Sequence, residues 1–168
     1  NQAPGDNSDC VLKPVRLYEN PLEDNSHLVL CEVWDTDDNA HSTNHRFTLE
    51  NLYNKYKTEE PWFGIEQEYT LFQDGVPLGW PMDGSEPPPQ GDYYCGRNVG
   101  EYIARQHLNV CIDAGIKISG INSEVMLGQW EYQVGADNPI KISDDLWVAR
   151  WLLEKICASR DIIVSLDP

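Results

Sequence analysis

The residues predict an α+β chain. Six runs are rich in β-branched and aromatic residues, three stretches carry apolar residues at helical spacing, and one short turn would fold two of the strands into a hairpin. The strands are expected at Val11–Tyr18, His27–Trp34, Trp62–Phe72, Lys117–Met126, Gln129–Val134 and Ile162–Leu166. The helices are expected at Thr48–Lys57, Val99–Ala114 and Asp144–Ala158.

Taken in order, residues 1–9 are polar, hold Pro4 and Gly5, and are expected to trail in solvent. The first two strands follow, the second alternating less cleanly than a solvated strand would. Asp35-Thr36-Asp37-Asp38-Asn39 is a turn-rich acidic break and the candidate domain boundary, dividing residues 1–40 from 45–168. The first helix places Leu49, Leu52, Tyr53 and Tyr56 on one stripe, and Pro61 stops it ahead of the third strand. From Asp74 to Gly91 the chain turns to Gly and Pro, with Pro87-Pro88-Pro89, as suits an ordered surface loop. The second helix ends where Gly115 can take the left-handed position past its last turn. The third has Ser143 placed as N-cap, with Asp144 and Asp145 in its first turn where the helix dipole favours acids. Its Leu146, Val148, Ala149, Trp151, Leu152, Leu153 and Ile156 cover most of the circumference, so it is expected to pack on more than one side.

Composition narrows the function classes. The chain has 168 residues, 40% of them hydrophobic and six of them Trp, enough apolar material for a core. With 28 acidic against 12 basic residues its formal net charge is −16, which repels phosphate backbones and anionic lipid surfaces. Neither a nucleic-acid nor a membrane partner is expected. Five widely spaced cysteines without a CxxC pair indicate neither a disulfide framework nor a zinc site, and fit a reducing compartment. The absence of a starting Met and the end at Leu166-Asp167-Pro168, directly after a strand, mark the chain as an expected fragment.

The acids fall in a pattern. In Trp62–Phe72 side chains alternate, so Gly64, Glu66, Glu68 and Thr70 share one face while Phe63, Ile65, Gln67, Tyr69 and Leu71 share the other, the second face expected to lie against the body. If Leu127-Gly128 is a two-residue hairpin loop, Glu124 lies directly opposite Glu131. Like charges opposed in this way are costly unless a cation joins them. Two carboxylate pairs on strands suit Mg²⁺ or Mn²⁺, which take oxygen ligands and keep positions for water or phosphate. A solvated acidic strand face is the plainer alternative. No P-loop or dinucleotide glycine pattern is present, and His27, His41, His45 and His107 show no paired ligand spacing.

A set of ordered blocks goes further than pattern. Pro61 to Leu71 (PWFGIEQEYTL), Pro77 to Pro81 (PLGWP), Gln90-Gly91 with Tyr93 to Gly96 (YYCG), Gly120 to Met126 (GINSEVM), Gly128 to Gly135 (GQWEYQVG) and Leu146 to Trp151 (LWVARW) together resemble glutamine synthetase of the eukaryotic type, type II. The resemblance covers nearly all of residues 11–168. It implies the end of a small β-grasp domain at 1–40, followed by the first part of a catalytic domain with a curved, mainly antiparallel sheet at 45–168. It implies ATP-dependent ligation of ammonia to glutamate through a γ-glutamyl phosphate, with Mg²⁺ or Mn²⁺ as cofactor. Glu68, Glu124 and Glu131 resemble ligands of the ion on the glutamate and ammonia side, and Glu66 a ligand of the ion that bridges the ATP phosphates. Trp62 and the run Glu131, Tyr132, Gln133, Val134, Gly135 and Ala136 match nucleotide-lining segments. A homo-oligomer, a double-ring decamer with active sites shared between subunits, and a cytoplasmic or alternatively plastid location are further implications. Two departures stand out: the segment after Tyr93-Tyr94-Cys95-Gly96 reaches its helix about four residues early, and Gly135-Ala136 stands where the family often has Gly-Pro. A non-catalytic relative that keeps the fold is the alternative reading, and the fragment is expected to be inactive alone.

Overall fold

In a computed structural model of the chain, which describes residues 5, 8–87, 89 and 99–167, two sheets and three α-helices form in the order the sequence suggests. Strands β1 (Cys10–Glu19) and β2 (His27–Asp35) pair as an antiparallel hairpin, with a register shift between Pro14 and Arg16. Proline has no N–H to donate, which is the physical reason the ladder is interrupted there. Helix α1 (His45–Tyr56) starts three residues earlier than the stripe suggested, because Asn44 caps it by accepting from the Phe47 N–H at 3.1 Å. Its apolar stripe is only partly covered: Leu49 and Tyr53 are half-buried, Leu52 is 54% exposed, and no α1 residue is fully buried. Glu60, in the left-handed region at φ 49°, turns the chain away even before Pro61.

The larger sheet holds β3 (Phe63–Gln73), β4 (Val76–Pro77), β5 (Ile118–Ser123), β6 (Gln129–Asp137) and β7 (Ile163–Ser165). Its order is β4-β3-β6-β5, with β7 on β3, and every pairing is antiparallel. Helices α2 (Glu101–Asp113) and α3 (Pro139–Ala158) cover its inner face. Tyr69 and Leu71 of β3 and Tyr132 and Val134 of β6 are buried there, together with Ile103, Ala104 and Cys111 of α2 and Ala149, Leu152, Leu153 and Ile156 of α3. Phe63, expected on that buried face, is instead 51% exposed, since it lies at the strand end beyond a register shift with β6.

Two further features, a helix boundary and a strand register, differ from expectation for physical reasons. Helix α3 begins at Pro139, five residues before Asp144, with Asn138 as N-cap accepting from the Lys141 N–H at 3.0 Å. Asn followed by Pro at the first helical position is a stronger start than Ser143, because the proline needs no partner for its missing N–H. Asp144 and Asp145 are therefore not first-turn acids but interior and buried. The second difference is the β5–β6 register. Ser123 faces Trp130 and Asn122 faces Glu131, so Glu124 is not opposite Glu131. Leu127-Gly128 do form the centre of a turn, with the Gln129 N–H donating to the Met126 carbonyl at 3.1 Å. Only Gly128 has positive φ (+90°), however, and a turn of that hand splays the strands, so pairing resumes at Glu124, whose N–H donates to the Gln129 carbonyl at 3.0 Å. Gly128 is further fixed by contact: a Cβ there would lie 2.7 Å from the Leu78 carbonyl oxygen.

The α2 expectation holds within two residues, and Gly115 has φ +79° just past its end. Of the loop expected at Asp74–Gly91, Val76–Pro77 pairs with β3 as a two-residue strand. Pro88, Gln90-Gly91, the Tyr93-Tyr94-Cys95-Gly96 block and the shortened segment after it lie outside the described residues, as do most of residues 1–7.

Candidate active site

The outer face of the larger sheet gathers the acids. Alternation along β3 puts Glu66 and Glu68 on that face, and β6 puts Gln129, Glu131 and Gln133 there. The antiparallel register sets Glu68 directly opposite Glu131, and Glu66 opposite Gln133. The opposed carboxylate pair thus spans β3 and β6, where the sequence had suggested β5 and β6. Because the β5 slip is two residues, it preserves the face, and Asn122 with Glu124 joins the same surface. Glu68 of β3, Glu131 of β6 and Glu124 just past the end of β5 are therefore neighbours, and Glu66 is the next residue along β3 on the same face.

Side-chain amides hold this face together. Gln129 Nε2 donates to Glu68 Oε2 at 2.7 Å, and Asn122 Nδ2 donates to Glu124 Oε1 at 2.9 Å. Gln133 Nε2 donates to Asn122 Oδ1 at 2.6 Å and also to Glu131 Oε1. The Gln133 side chain crosses over β5 at Gly120, where a Cβ would stand 2.7 Å from its Oε1. Glu131 is 8% exposed, Glu68 and Glu124 are half-buried, and Glu66 is open to solvent. Burial pushes the Glu124 carboxyl above its ordinary range, and the charges of Glu131 and Glu68 push it the same way. These three acids feel one another, yet among the described residues no three acidic, His or Cys side chains converge as a ready ligand cluster. Each carboxylate is turned to an amide instead. An oxygen-only donor set with mutual repulsion is the chemistry a hard divalent cation satisfies, so Glu68, Glu124 and Glu131 could hold one such ion and Glu66 could contribute to another.

The nucleotide-lining expectation divides by face. Tyr132 and Val134 point into the core, Tyr132 against His107 with ring centroids 4.8 Å apart, so only their backbone can meet a ligand on the outer side. Glu131 and Gln133 face outward, Ala136 is exposed, and Trp62 is 76% exposed just ahead of β3. Lys117 Nζ lies 6.0 Å from the Trp62 ring centroid and 3.3 Å from Asp137 Oδ2, which brings a cation to that end of the sheet.

The roles of three amides as donors to the glutamates, and a buried ionic network, had not been singled out from sequence, although Gln133 was expected among the nucleotide-lining residues. Asn122, Gln129 and Gln133 could have been found, because they share the two-residue period of the glutamates. The network of Asp144 and Asp145 could not, since its partners are remote. Arg46 Nε donates to Asp144 at 2.8 Å and Arg46 Nη1 to Glu32 at 2.7 Å. Tyr18 Oη donates to Asp145 at 2.8 Å, the Lys117 N–H to Asp145 at 3.1 Å, and Lys141 Nζ pairs with Asp145 at 2.5 Å. The β1–β2 hairpin is thereby tied to α3 and to the start of β5.

An antiparallel sheet backed by two helices on one side and faced with carboxylates from adjacent strands on the other defines an α+β protein. Relatives of known name match nearly all of this chain in sequence. A glutamine synthetase of Streptomyces viridochromogenes is 51% identical over 173 residues, covering 100% of this chain and 50% of the relative. Glutamine synthetase 2 cytoplasmic of Drosophila melanogaster is 49% identical over 173 residues, 99% and 47% respectively, and a glutamine synthetase of Emericella nidulans is 47% identical over 173 residues, 99% and 48%. Two solved structures share the fold at 14% identity. A GmaS/ADP complex has TM-score 0.79 over 98% of this chain and 39% of that one, and Plasmodium falciparum glutamine synthetase has TM-score 0.74 over 97% and 38%. No protein-family model matches the chain. The chain belongs to the glutamine synthetase family, and it spans about half the length of the curated relatives it matches. No helix among the described residues is long and apolar enough to cross a membrane.

Proposed function

We propose that the chain forms the metal-binding part of an enzyme that ligates ammonia to glutamate with ATP. The products are glutamine, ADP and phosphate, and the route is a γ-glutamyl phosphate. The observation that carries this reading is the face on which Glu68 opposes Glu131, with Glu124 beside them and Glu66 next along β3 on that face, in a chain half identical to named glutamine synthetases.

Glu68, Glu124 and Glu131 would hold the Mg²⁺ or Mn²⁺ on the glutamate and ammonia side, and Glu66 the ion on the nucleotide side. A divalent ion bound there supplies charge neutralisation between two anionic reactants. The chain's own residues prepare for it. Gln129, Asn122 and Gln133 hold the carboxylates apart by hydrogen bonds and fix their rotamers. Burial of Glu131 keeps water from screening the site. Trp62, Glu131, Gln133, Ala136 and the backbone of Tyr132, Val134 and Gly135 would line the nucleotide. Within the whole protein, residues 1–40 would end a small β-grasp domain and residues 45–168 begin the catalytic one. Active sites shared between subunits of a cytoplasmic homo-oligomer, a double-ring decamer, complete the proposal, and this chain alone would not turn over.

The test is Glu131→Ala in the full-length protein, read by glutamine formation and by Mn²⁺ titration. Loss of turnover with weakened Mn²⁺ binding is expected. Unchanged turnover and an unchanged titration would overturn the reading.

A further inference from the structure

We propose that Arg150 and Gln67 are positioning residues for the carboxylate face, fixing from beneath the sheet the stretch of β3 that carries Glu66 and Glu68. The inference rests on the functional reading above and names residues on the opposite side of the sheet from the acids. Gln67 stands between Glu66 and Glu68 in sequence, so its side chain points to the inner face, where it is 8% exposed. Its rung partner on β6 is Tyr132, and the two rungs flanking that one are Glu66 with Gln133 and Glu68 with Glu131. Whatever holds the Gln67–Tyr132 rung therefore holds the spacing of the carboxylate rungs on either side.

Arg150 of α3 does this. Its Nε donates to Gln67 Oε1 at 2.8 Å and its Nη2 donates to the same oxygen at 2.5 Å. Gln67 Nε2 in turn donates to the backbone carbonyl of Glu68 at 2.7 Å. Guanidinium has only donors, so it can face only the amide oxygen, and that choice aims the amide nitrogen at the Glu68 carbonyl. The contacts run in one direction, from the helix through the amide to the backbone of a site residue. Arg150 is held in place from its other side by the Trp147 ring, 5.4 Å from the guanidinium carbon. An apolar side chain at position 67 would fill the same space without the cost of burying an amide, so packing alone does not account for Gln67 or for the half-buried Arg150 that bonds it. Positioning does, because coordinating groups must be held within about half an ångström of productive geometry.

The experiment is a Mn²⁺ titration of the full-length protein, followed by electron paramagnetic resonance well below the unfolding temperature. The variants are Arg150→Met, Gln67→Met, the double variant and Arg150→Lys, with Leu152→Ala as a core control and Glu131→Ala as the ligand control. Arg150→Met and Gln67→Met are each expected to weaken Mn²⁺ binding about tenfold, the range seen for partners of metal ligands. The double variant should be no weaker than either single, because both act through one rung. Arg150→Lys, which keeps a single donor group, should recover part of the affinity. Leu152→Ala should lower the unfolding temperature and leave the titration unchanged. If Arg150→Met fails to fold, Gln67→Met and Arg150→Lys carry the test. Parental affinity in both Met variants alongside loss in Glu131→Ala would overturn the positioning role and leave the functional reading standing. Equal weakening by Leu152→Ala would overturn it too, by showing general loosening. An unchanged titration in Glu131→Ala would remove the functional reading and this inference together.

Discussion

Replacing Arg46 by Met is expected to cost about 3 kcal/mol of stability at neutral pH, through charge rather than packing. Arg46 is a guanidinium shared by two buried acids: its donors reach Asp144 at 2.8 and 3.1 Å and Glu32 at 2.7 Å, and the side chains of those acids are 2% and 5% exposed. Removing one partner of a buried pair costs about 3–5 kcal/mol, because a charge is left without compensation. The lower end applies, since Asp144 keeps Arg16 at 3.4 Å and Glu32 keeps the Trp34 Nε1–H at 3.0 Å and Asn44 at 3.4 Å. Burial by itself would push Glu32 up, but its hydrogen bonds from Arg46, Trp34 and Asn44 leave it below its ordinary value of 4.5. A depressed carboxyl contributes stability that is complete above its ordinary value and is lost as pH falls below it. The parent protein loses that contribution in acid, whereas the variant has little of it left to lose. The difference between them should therefore hold at about 3 kcal/mol from pH 7 down to the ordinary carboxyl value of 4.5, and shrink as pH falls further through the lowered Glu32 value. Urea unfolding followed by tryptophan fluorescence measures it, and Trp34, bonded to Glu32 and edge-on to Phe47 at 5.0 Å, reports on the affected region. A difference that stays the same as pH is taken well below 4.5 would refute the electrostatic account.

His107 is fully buried, and burial lowers its pKa from 6.5 to about 4, partly opposed by its hydrogen bond to the Ala149 carbonyl at 2.9 Å. Stability should be complete above pH 6.5 and decline by roughly 3 kcal/mol as pH falls to about 4, because the unfolded chain takes up the proton first. His107→Gln should flatten that part of the pH profile in urea unfolding. Gly128→Ala should cost about 2 kcal/mol, since it forces a Cβ into φ +90° and to 2.7 Å from the Leu78 carbonyl oxygen. A thermal midpoint within a degree of the parent would contradict that.

What the sequence could tell depended on whether the deciding interaction was local. The two faces of β3 were legible because alternation is a property of one strand: Glu66 and Glu68 are on the outer face, Gln67, Tyr69 and Leu71 on the inner. Gly115 marked the end of α2 for the same reason. The opposition of Glu68 and Glu131 was not legible, because nothing within either segment says that residues 63–73 pair with 129–137. The hairpin at Leu127-Gly128 was half legible. The turn is there, but its hand, set by a single positive φ at Gly128, decides where pairing resumes, and that displaced Glu124 by two residues while leaving it on the right face. A one-residue error would have sent Glu124 to the core side.

Helix α3 shows how long-range charge can hide inside an ordinary local pattern. Read alone, Ser143-Asp144-Asp145 is a good helix start, and the dipole argument for two acids there is sound. It loses to Asn138-Pro139, and the consequence is more than five extra residues. Moved into the helix interior and buried, Asp144 and Asp145 need cations and donors, most of which come from outside the helix. Asp144 finds Arg46 of α1 and Arg16 of β1, and Asp145 finds Tyr18 of β1, the Lys117 N–H just ahead of β5 and, one turn back in α3, Lys141. Further along the same helix, Arg150 reaches the rung between the two carboxylate rungs. One element thus anchors the hairpin with its acids and the carboxylate face with its arginine. In a chain of net charge −16, the acids that reach these cations are Asp144, Asp145 and Glu32, whereas Glu68, Glu124 and Glu131 on the outer face accept from the amides of Gln129, Asn122 and Gln133.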